Sequence, residues 1–397
     1  MVRKLLVNSP RNFSHIVKFN ERTNMKFNKL FSLLALIVLI TACGKDEELT
    51  PETLEQKIED ITKKHMTNQG WAGVAIGVYD NGTTNFYAYG AKDKADDSKI
   101  NQNTLFEIGD LSKVFTGALL TKLDLDGTID EDDPLKDHMP LNANVPDYLG
   151  NDILLKHLAN HSSALPTMPD NMDLEAEEDV LNQYTTTLLF EFLDGYTMPR
   201  NTGTTMEYSN LGYGILGYAL KYSQSKTYGD LLKDEILTPL GMTNTFMTFA
   251  EAGHDNIAQG YSGPSDEANE LLFSEVFEGS GGIKSSISDM LKFIGANLSD
   301  DTGNLYEALR KTHIKTIETP DAGNGFGTGW FILNYLDGQL VRFHDGGTMG
   351  YSSYMVINPE TKRGVVVLIN TNTDNAYAHL DIGVEIMKAV HEAAQTN

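Results

Sequence analysis

The sequence predicts an α+β fold: an antiparallel sheet flanked by the helices of the two chain ends, with a mainly helical lobe inserted into it. Three observations carry this. A hairpin signal, Asn81-Gly82 between apolar runs, lies towards one end. Strand-like runs cluster towards the other, and the stretch from about Asp130 to Asn269 is patterned as helices and long loops. In order, Pro51 to Met66 reads as an amphipathic helix, and Trp71 to Tyr79 with Thr83 to Tyr89 as the two arms of the hairpin, because Asn-Gly suits a tight primed turn. A helix follows from Asp110. The insertion predicts helices at Ile153 to Leu158, Asp179 to Leu193, Leu211 to Tyr222 and Tyr228 to Leu237. Strands return at Gly327 to Tyr335, Gln339 to Phe343, Tyr351 to Ile357 and Gly364 to Asn370, before a closing helix from Ala376 to Ala394. Short connections make the sheet antiparallel, with the insertion between its second and third strands. The expected organisation is one unit over 51–397, with 51–128 and 275–397 as the α+β lobe, 129–274 as the helical lobe, and a cleft between them. No period suggests repeats.

The apolar run Leu30 to Ala42 follows Lys26 and Lys29 and stops at Cys43, too short to span a bilayer and laid out as a secretory signal. Leu39-Ile40-Thr41-Ala42-Cys43 resembles a bacterial lipobox, which implies cleavage before Cys43, lipid on its sulfur, and an exported protein anchored to a bacterial membrane. Residues 25–42 would be the signal peptide within a signal segment 1–42, with Met25 a fitting start. Residues 43–50 form an acidic tether that resembles those of some surface lipoproteins and reads equally as a solvated linker. Cys43 is the only cysteine of the 397 residues, so no internal disulfide is expected and the core must hold by packing. Residues 1–42 carry seven Lys/Arg and one Glu, so their removal takes the formal charge from −24 to −30. That charge disfavours nucleic acid as a partner.

Three short patterns carry chemistry. Leu105-Phe106-Glu107-Ile108-Gly109-Asp110-Leu111-Ser112-Lys113 enters a helix with an acid three residues before a lysine, a spacing that puts both on one helix face. Ser112 points elsewhere and reads as a small polar residue packed near the helix start. Tyr208-Ser209-Asn210 precedes a helix, where the serine or asparagine also suits a cap. His344-Asp345-Gly346-Gly347-Thr348 ends a strand and reads otherwise as a glycine-rich turn. Two decoys are set aside. Asp124-Leu125-Asp126-Gly127 looks like part of a calcium loop, but its first ligand would be Lys122. His157 and His161 have zinc-like spacing without the glutamate of a metalloprotease or a third ligand. No metal and no cofactor are expected.

Asp110-x-x-Lys113, Tyr208-x-Asn210 and His344-x-Gly346, in that order, resemble the three active-site elements of serine β-lactamases and penicillin-binding proteins, above all class C β-lactamases, D-alanyl-D-alanine carboxypeptidases and related esterases. Family-like stretches lie between them: 153–166, Pro239-Leu240-Gly241-Met242-Thr243 and Gly281-Gly282-Ile283-Lys284-Ser285. The resemblance runs from about Ile58 to the C-terminus. It implies that the nucleophile position is held by Asp110 in place of serine. It further implies that Lys113 activates the nucleophile, Tyr208 shuttles a proton, and Asn210 fixes the lysine and a substrate carbonyl. His344 stands for the lysine of the third element, Gly346 lets substrate approach, and the Gly347 N–H completes an oxyanion hole.

Asp110 beside Lys113 should form an ion pair. A carboxylate has no hydroxyl to activate, so serine-type acyl transfer is expected to be lost or strongly impaired. The implied ligand is a cell-wall peptide or a small ester or amide, bound by a monomer. Two alternatives stand beside this reading: a non-catalytic binding protein using the old cleft, and a hydrolase using Asp110 as base or nucleophile.

Overall fold

The computed structural model describes residues 52–395 except 97, 174–178, 254, 320–322, 336, 337, 374 and 376. The signal segment, Cys43 and the tether lie outside the described residues.

The first helix begins at Leu54, because Thr53 and Gln56 close a reciprocal capping box: Gln56 N–H donates to Thr53 Oγ1 at 3.2 Å and Thr53 N–H to Gln56 Oε1 at 2.9 Å. It runs to Gln69 and ends on left-handed Gly70. The hairpin follows as β1 (Gly73–Asp80) and β2 (Thr83–Gly90). Asn81 and Gly82 both take positive φ, 46° and 96°, which the primed turn requires.

The other strands of the main sheet come from the second half of the chain: β3 (Ile317–Glu318), β4 (Gly325–Phe326), β5 (Phe331–Asn334), β6 (Leu340–Gly347), β7 (Ser352–Asn358) and β8 (Arg363–Ile369). Their order is β2-β1-β8-β7-β6-β5-β4-β3, every pairing antiparallel. The β1–β8 register sets Val74 opposite Ile369 and Ile76 opposite Val367. That face, with Val365, Val356 and Phe343, is covered by the first helix and by the last, Ala378–Gln395, through Ile58, Ile382, Ile386 and Val390. The opposite face, with Ala75, Met355, Val366 and Leu368, packs on the helix Ile287–Leu298 and joins the core of the helical lobe. Each fully buried Val, Leu or Ile contributes ~1.5–3 kcal/mol, so both faces drive the sheet together.

The α+β architecture with its helical insertion is as the patterning predicts, with four local differences. The run from Gly327 to Tyr335 becomes a strand only from Phe331. Gly329 (φ +85°) leaves the sheet there to lie against the Lys113 backbone, where an added Cβ would stand 2.9 Å from the Lys113 carbonyl oxygen. The expected helix Asp179 to Leu193 is two, Val180–Gln183 and Thr186–Gly195, because Thr185 caps the second by accepting from the Leu188 N–H. The helix expected from Asp110 starts as a 3₁₀ turn, Gly109–Leu111, and becomes α-helix over Ser112–Leu125. Tyr228 to Leu237 is α-helical to Leu232 and a π turn beyond. A smaller sheet matters for the site: Leu105–Glu107 pairs with Lys284–Ser286, which pairs in turn with Thr245–Phe246.

Candidate active site

The site residues gather where the helical lobe meets one end of the main sheet. Leu105–Glu107 feeds the chain into the 3₁₀ turn that presents Asp110, and Lys113 follows on the first turn of the helix. Lys113 Nζ lies 2.5 Å from Asp110 Oδ1 and donates to the Ser280 carbonyl at 2.7 Å. The ammonium is fully buried, while the Asp110 side chain is 24% exposed. Ser112 is buried on another face, its Oγ accepting from the Ile283 N–H at 3.1 Å, which is the packing role its position predicts.

Tyr208 reaches the same ammonium from the helical lobe: Lys113 Nζ sits 5.3 Å from its ring centre and 5.9 Å from that of Tyr213. The tripeptide is held by its own cap. Ser209 Oγ accepts from the Gly212 N–H at 2.8 Å and donates to the Pro166 carbonyl at 2.6 Å, starting the helix Asn210–Gln224. Asn210 is buried at the first position of that helix, with Oδ1 an orphaned acceptor among the described groups. His161 locks the segment from behind. In a left-handed conformation (φ 60°), it accepts from the Ser209 N–H through Nδ1 at 3.1 Å and from the Glu207 N–H through its carbonyl at 2.7 Å. Its ring packs 4.2 Å from that of Tyr208. His161 lies beyond the short helix Leu155–Ala159, so His157 and His161 share no helix face. Both are structural, and burial lowers the His157 imidazole to about 4.

The third element closes β6, in register with β7: His344 opposite Met355, Gly346 opposite Ser353 and Gly347 opposite Ser352. His344 is fully buried, its ring 6.2 Å from Tyr208 and 5.3 Å from Phe331, with Nδ1 at 2.7 Å from the Asp345 carbonyl. Strand alternation turns Asp345 to the opposite face, where its carboxylate meets His379 Nε2 at 3.2 Å. A Cβ on Gly346 would stand 2.4 Å from the Ile108 carbonyl oxygen and 2.8 Å from Asp110 N, and one on Gly109 would stand 2.9 Å from Gly347 N. Glycines on both sides of this seam therefore let the backbones at Asp110 and Gly347 lie close against each other.

Beneath the turn, Glu107 is sealed in the core, and burial raises its carboxyl to about 7 against the lowering effect of Lys284. The patterning missed this acid, the Ser280 carbonyl and His379. Strand alternation gives no reason to single out Glu107, and a backbone carbonyl leaves no side-chain signal. Asp124 and Asp126, the calcium-like acids, pair with Lys311 and Lys122. Among the described residues no cluster of three His, Cys, Asp or Glu forms a metal site.

A carboxylate, a buried ammonium, a phenol, an imidazole and two neighbouring amides thus converge on one seam. Such a set can move protons and stabilise a developing oxyanion.

The chain matches the family model described as Beta-lactamase over residues 58–385. It is 26% identical over 373 residues to the D-alanyl-D-alanine-carboxypeptidase/endopeptidase AmpH of Escherichia coli (strain K12), a match covering 91% of this chain and 95% of that protein. Against a beta-lactamase of Psychrobacter immobilis the identity is 26%, covering 88% and 94%. Among solved structures, a class C beta-lactamase superposes with a TM-score of 0.74 at 22% identity, covering 86% of this chain and 98% of its own. The beta-lactamase/D-alanine carboxypeptidase of Pseudomonas syringae gives 0.73 at 21%, covering 84% and 98%. Both share its fold.

Proposed function

The chain belongs to the β-lactamase family, and from that premise we propose that it is an acyl-transfer scaffold of the serine-hydrolase type, silenced or strongly impaired by Asp110. Its ligands are cell-wall-type peptides or small esters and amides. The observation that carries this is the 2.5 Å contact between Asp110 and Lys113 within an otherwise intact set of partners.

With a hydroxyl at 110, Lys113 would take its proton, and the oxygen would attack a carbonyl held by the Asp110 and Gly347 amides. Tyr208 would then return a proton to the leaving group. An ionised carboxylate only accepts hydrogen bonds and keeps the ammonium engaged. Attack by its oxygen would form a mixed anhydride, which reverts more readily than it hydrolyses usefully. Losing a triad nucleophile in serine proteases costs roughly 10⁴ to 10⁶ in turnover, and a similar collapse applies here. The name of the E. coli relative, D-alanyl-D-alanine-carboxypeptidase/endopeptidase AmpH, supports the peptide class.

We also propose export and a lipid anchor at Cys43, with the domain acting as a monomer on a bacterial membrane surface. Palmitate labelling that disappears in Cys43→Ala tests the anchor.

The decisive assay is hydrolysis of a nitrophenyl ester and a chromogenic cephalosporin by the protein, by Asp110→Ser and by Lys113→Ala. Turnover rising at least about 10³-fold in Asp110→Ser supports the silenced scaffold. Turnover in the unaltered protein that Lys113→Ala abolishes would instead favour chemistry through Asp110, whose 24% exposure leaves it open to water. Ligand retention without turnover in any variant would favour a binding protein.

A further inference from the structure

Glu107 and Lys284 are both buried, and the register of the small sheet sets them opposite each other. They meet through the main chain of Leu271: Glu107 Oε1 accepts the Leu271 N–H at 2.6 Å, and Lys284 Nζ donates to the Leu271 carbonyl at 2.9 Å. Lys284 also donates to the Gly282 carbonyl at 3.3 Å and faces Glu270 Oε1 at 3.5 Å. One loop residue is thus held by both its polar groups from inside the core. Burying an acid and an ammonium is costly, and apolar side chains would pair the two strands without that cost. What charge provides here is a grip on a backbone that pairs with no strand among the described residues.

The held segment bears on the reacting groups. Two residues beyond Leu271, the Phe273 ring lies 5.6 Å from Lys284 Nζ and covers Gly281, where a Cβ would meet the ring at 2.9 Å. The residue before Gly281 is Ser280, whose carbonyl anchors Lys113 at 2.7 Å. Glu107 lies three residues before Asp110 and Lys284 four after Ser280, so the same two strands lead to both sides of the Asp110–Lys113 contact.

We propose that Glu107 and Lys284 are positioning residues that clamp Leu271 and thereby hold Phe273 against the short helix Glu278–Gly281, fixing Lys113 relative to position 110. The inference deepens the acyl-transfer reading and rests on it for its catalytic meaning, so its test needs no substrate.

The first measurement is hydrogen exchange at the Leu271 amide in the full-length protein. Glu107→Leu and Lys284→Met speed that exchange about tenfold or more, while Glu107→Gln, whose amide oxygen still accepts the N–H, leaves it near the parent value. The second uses a thiol as reporter. In full-length Asp110→Cys carrying Cys43→Ser, the pH profile of alkylation reads how closely Lys113 stabilises the thiolate. Adding Glu107→Leu or Lys284→Met moves that profile about one pH unit upward, and adding Glu107→Gln does not. Unchanged exchange in both disruptive variants overturns the clamp. Faster exchange with an unmoved thiol profile overturns the positioning role and leaves a purely structural one. If Glu107→Leu does not fold, Lys284→Met against Glu107→Gln carries the same contrast. An inactive Asp110→Ser alongside a shifted thiol profile would sink the acyl-transfer reading while the clamp stands.

Discussion

Asp110 and Lys113 touch directly at 2.5 Å with the carboxylate 24% exposed, whereas Glu107 and Lys284 are sealed in the core and meet through the main chain of Leu271. The two acids are three residues apart on one strand-to-turn segment, and each faces a buried lysine. Solvent makes the difference. Water can replace Lys113 as a partner of Asp110, but nothing replaces Lys284 beside a carboxyl that burial has already raised to about 7. The outer pair is therefore free to change its chemistry, while the inner one is bound to the fold.

The largest test of that contrast compares the lysines. Lys284→Met should cost about 3–5 kcal/mol at pH 8, the range for breaking a buried pair, measured by urea unfolding. Lys113→Met should cost less, about 1–3 kcal/mol, because the partly exposed Asp110 can take water as its partner and the main loss is the donor to the Ser280 carbonyl. Equal losses would mean that the two pairs are built alike.

The next test is pH. The folded protein raises the Glu107 carboxyl from its ordinary 4.5 to about 7, so it favours the protonated form. The stability this contributes is complete below about 4.5 and is lost as pH rises through about 7, by about 3 kcal/mol at 1.36 kcal/mol per unit. Glu107→Gln cannot titrate. Its stability relative to the parent should therefore improve by that amount between pH 4.5 and pH 8. Burial holds His157 near 4 and His313 near 3, which lowers stability as pH falls below about 6.5, but both histidines are present in both proteins and cancel in the difference. A flat difference would place Glu107 in contact with water.

How much of this contrast the sequence carries depends on what each contact is made of. The order of the Asp110, Tyr208 and His344 elements, the Asn81-Gly82 turn and the runs that become β1, β2, β6, β7 and β8 are side-chain patterns, and they appear where the patterns put them. β3 and β4 have two residues each, too few for any alternation to register. The inner pair is invisible for another reason. Glu107 and Lys284 meet at the Leu271 backbone, and their pairing depends on a strand register between residues 177 positions apart. The contact of His379 with Asp345 likewise needs β6 and the last helix already in place.

A third test separates the outer pair from the fold beneath it. Gly346→Ala would drive a methyl to 2.4 Å from the Ile108 carbonyl oxygen and 2.8 Å from Asp110 N, both backbone atoms with little room to give. The expected loss is about 1–3 kcal/mol by thermal unfolding, with the activity gained by Asp110→Ser abolished in the double variant. Hydrogen exchange at Leu271 should stay unchanged, because the strain enters on the sheet side of the turn. Faster exchange there would join the two pairs into one unit.

The smallest effect belongs to neither pair. Ser209 starts the helix Asn210–Gln224 by accepting from Gly212 N–H and also ties to the Pro166 carbonyl, so Ser209→Ala removes a cap and a tether together. A cap of this kind is worth about 1 kcal/mol. The loss should be insensitive to pH between 5 and 8, since no titrating group takes part in either bond. Tyr208 would still be held from the other side, because His161 accepts from the Ser209 N–H, which the substitution leaves in place. The activity of Asp110→Ser should therefore survive Ser209→Ala with at most a modest fall. A collapse of activity at so small a cost in stability would show that the cap, rather than His161, sets the tyrosine.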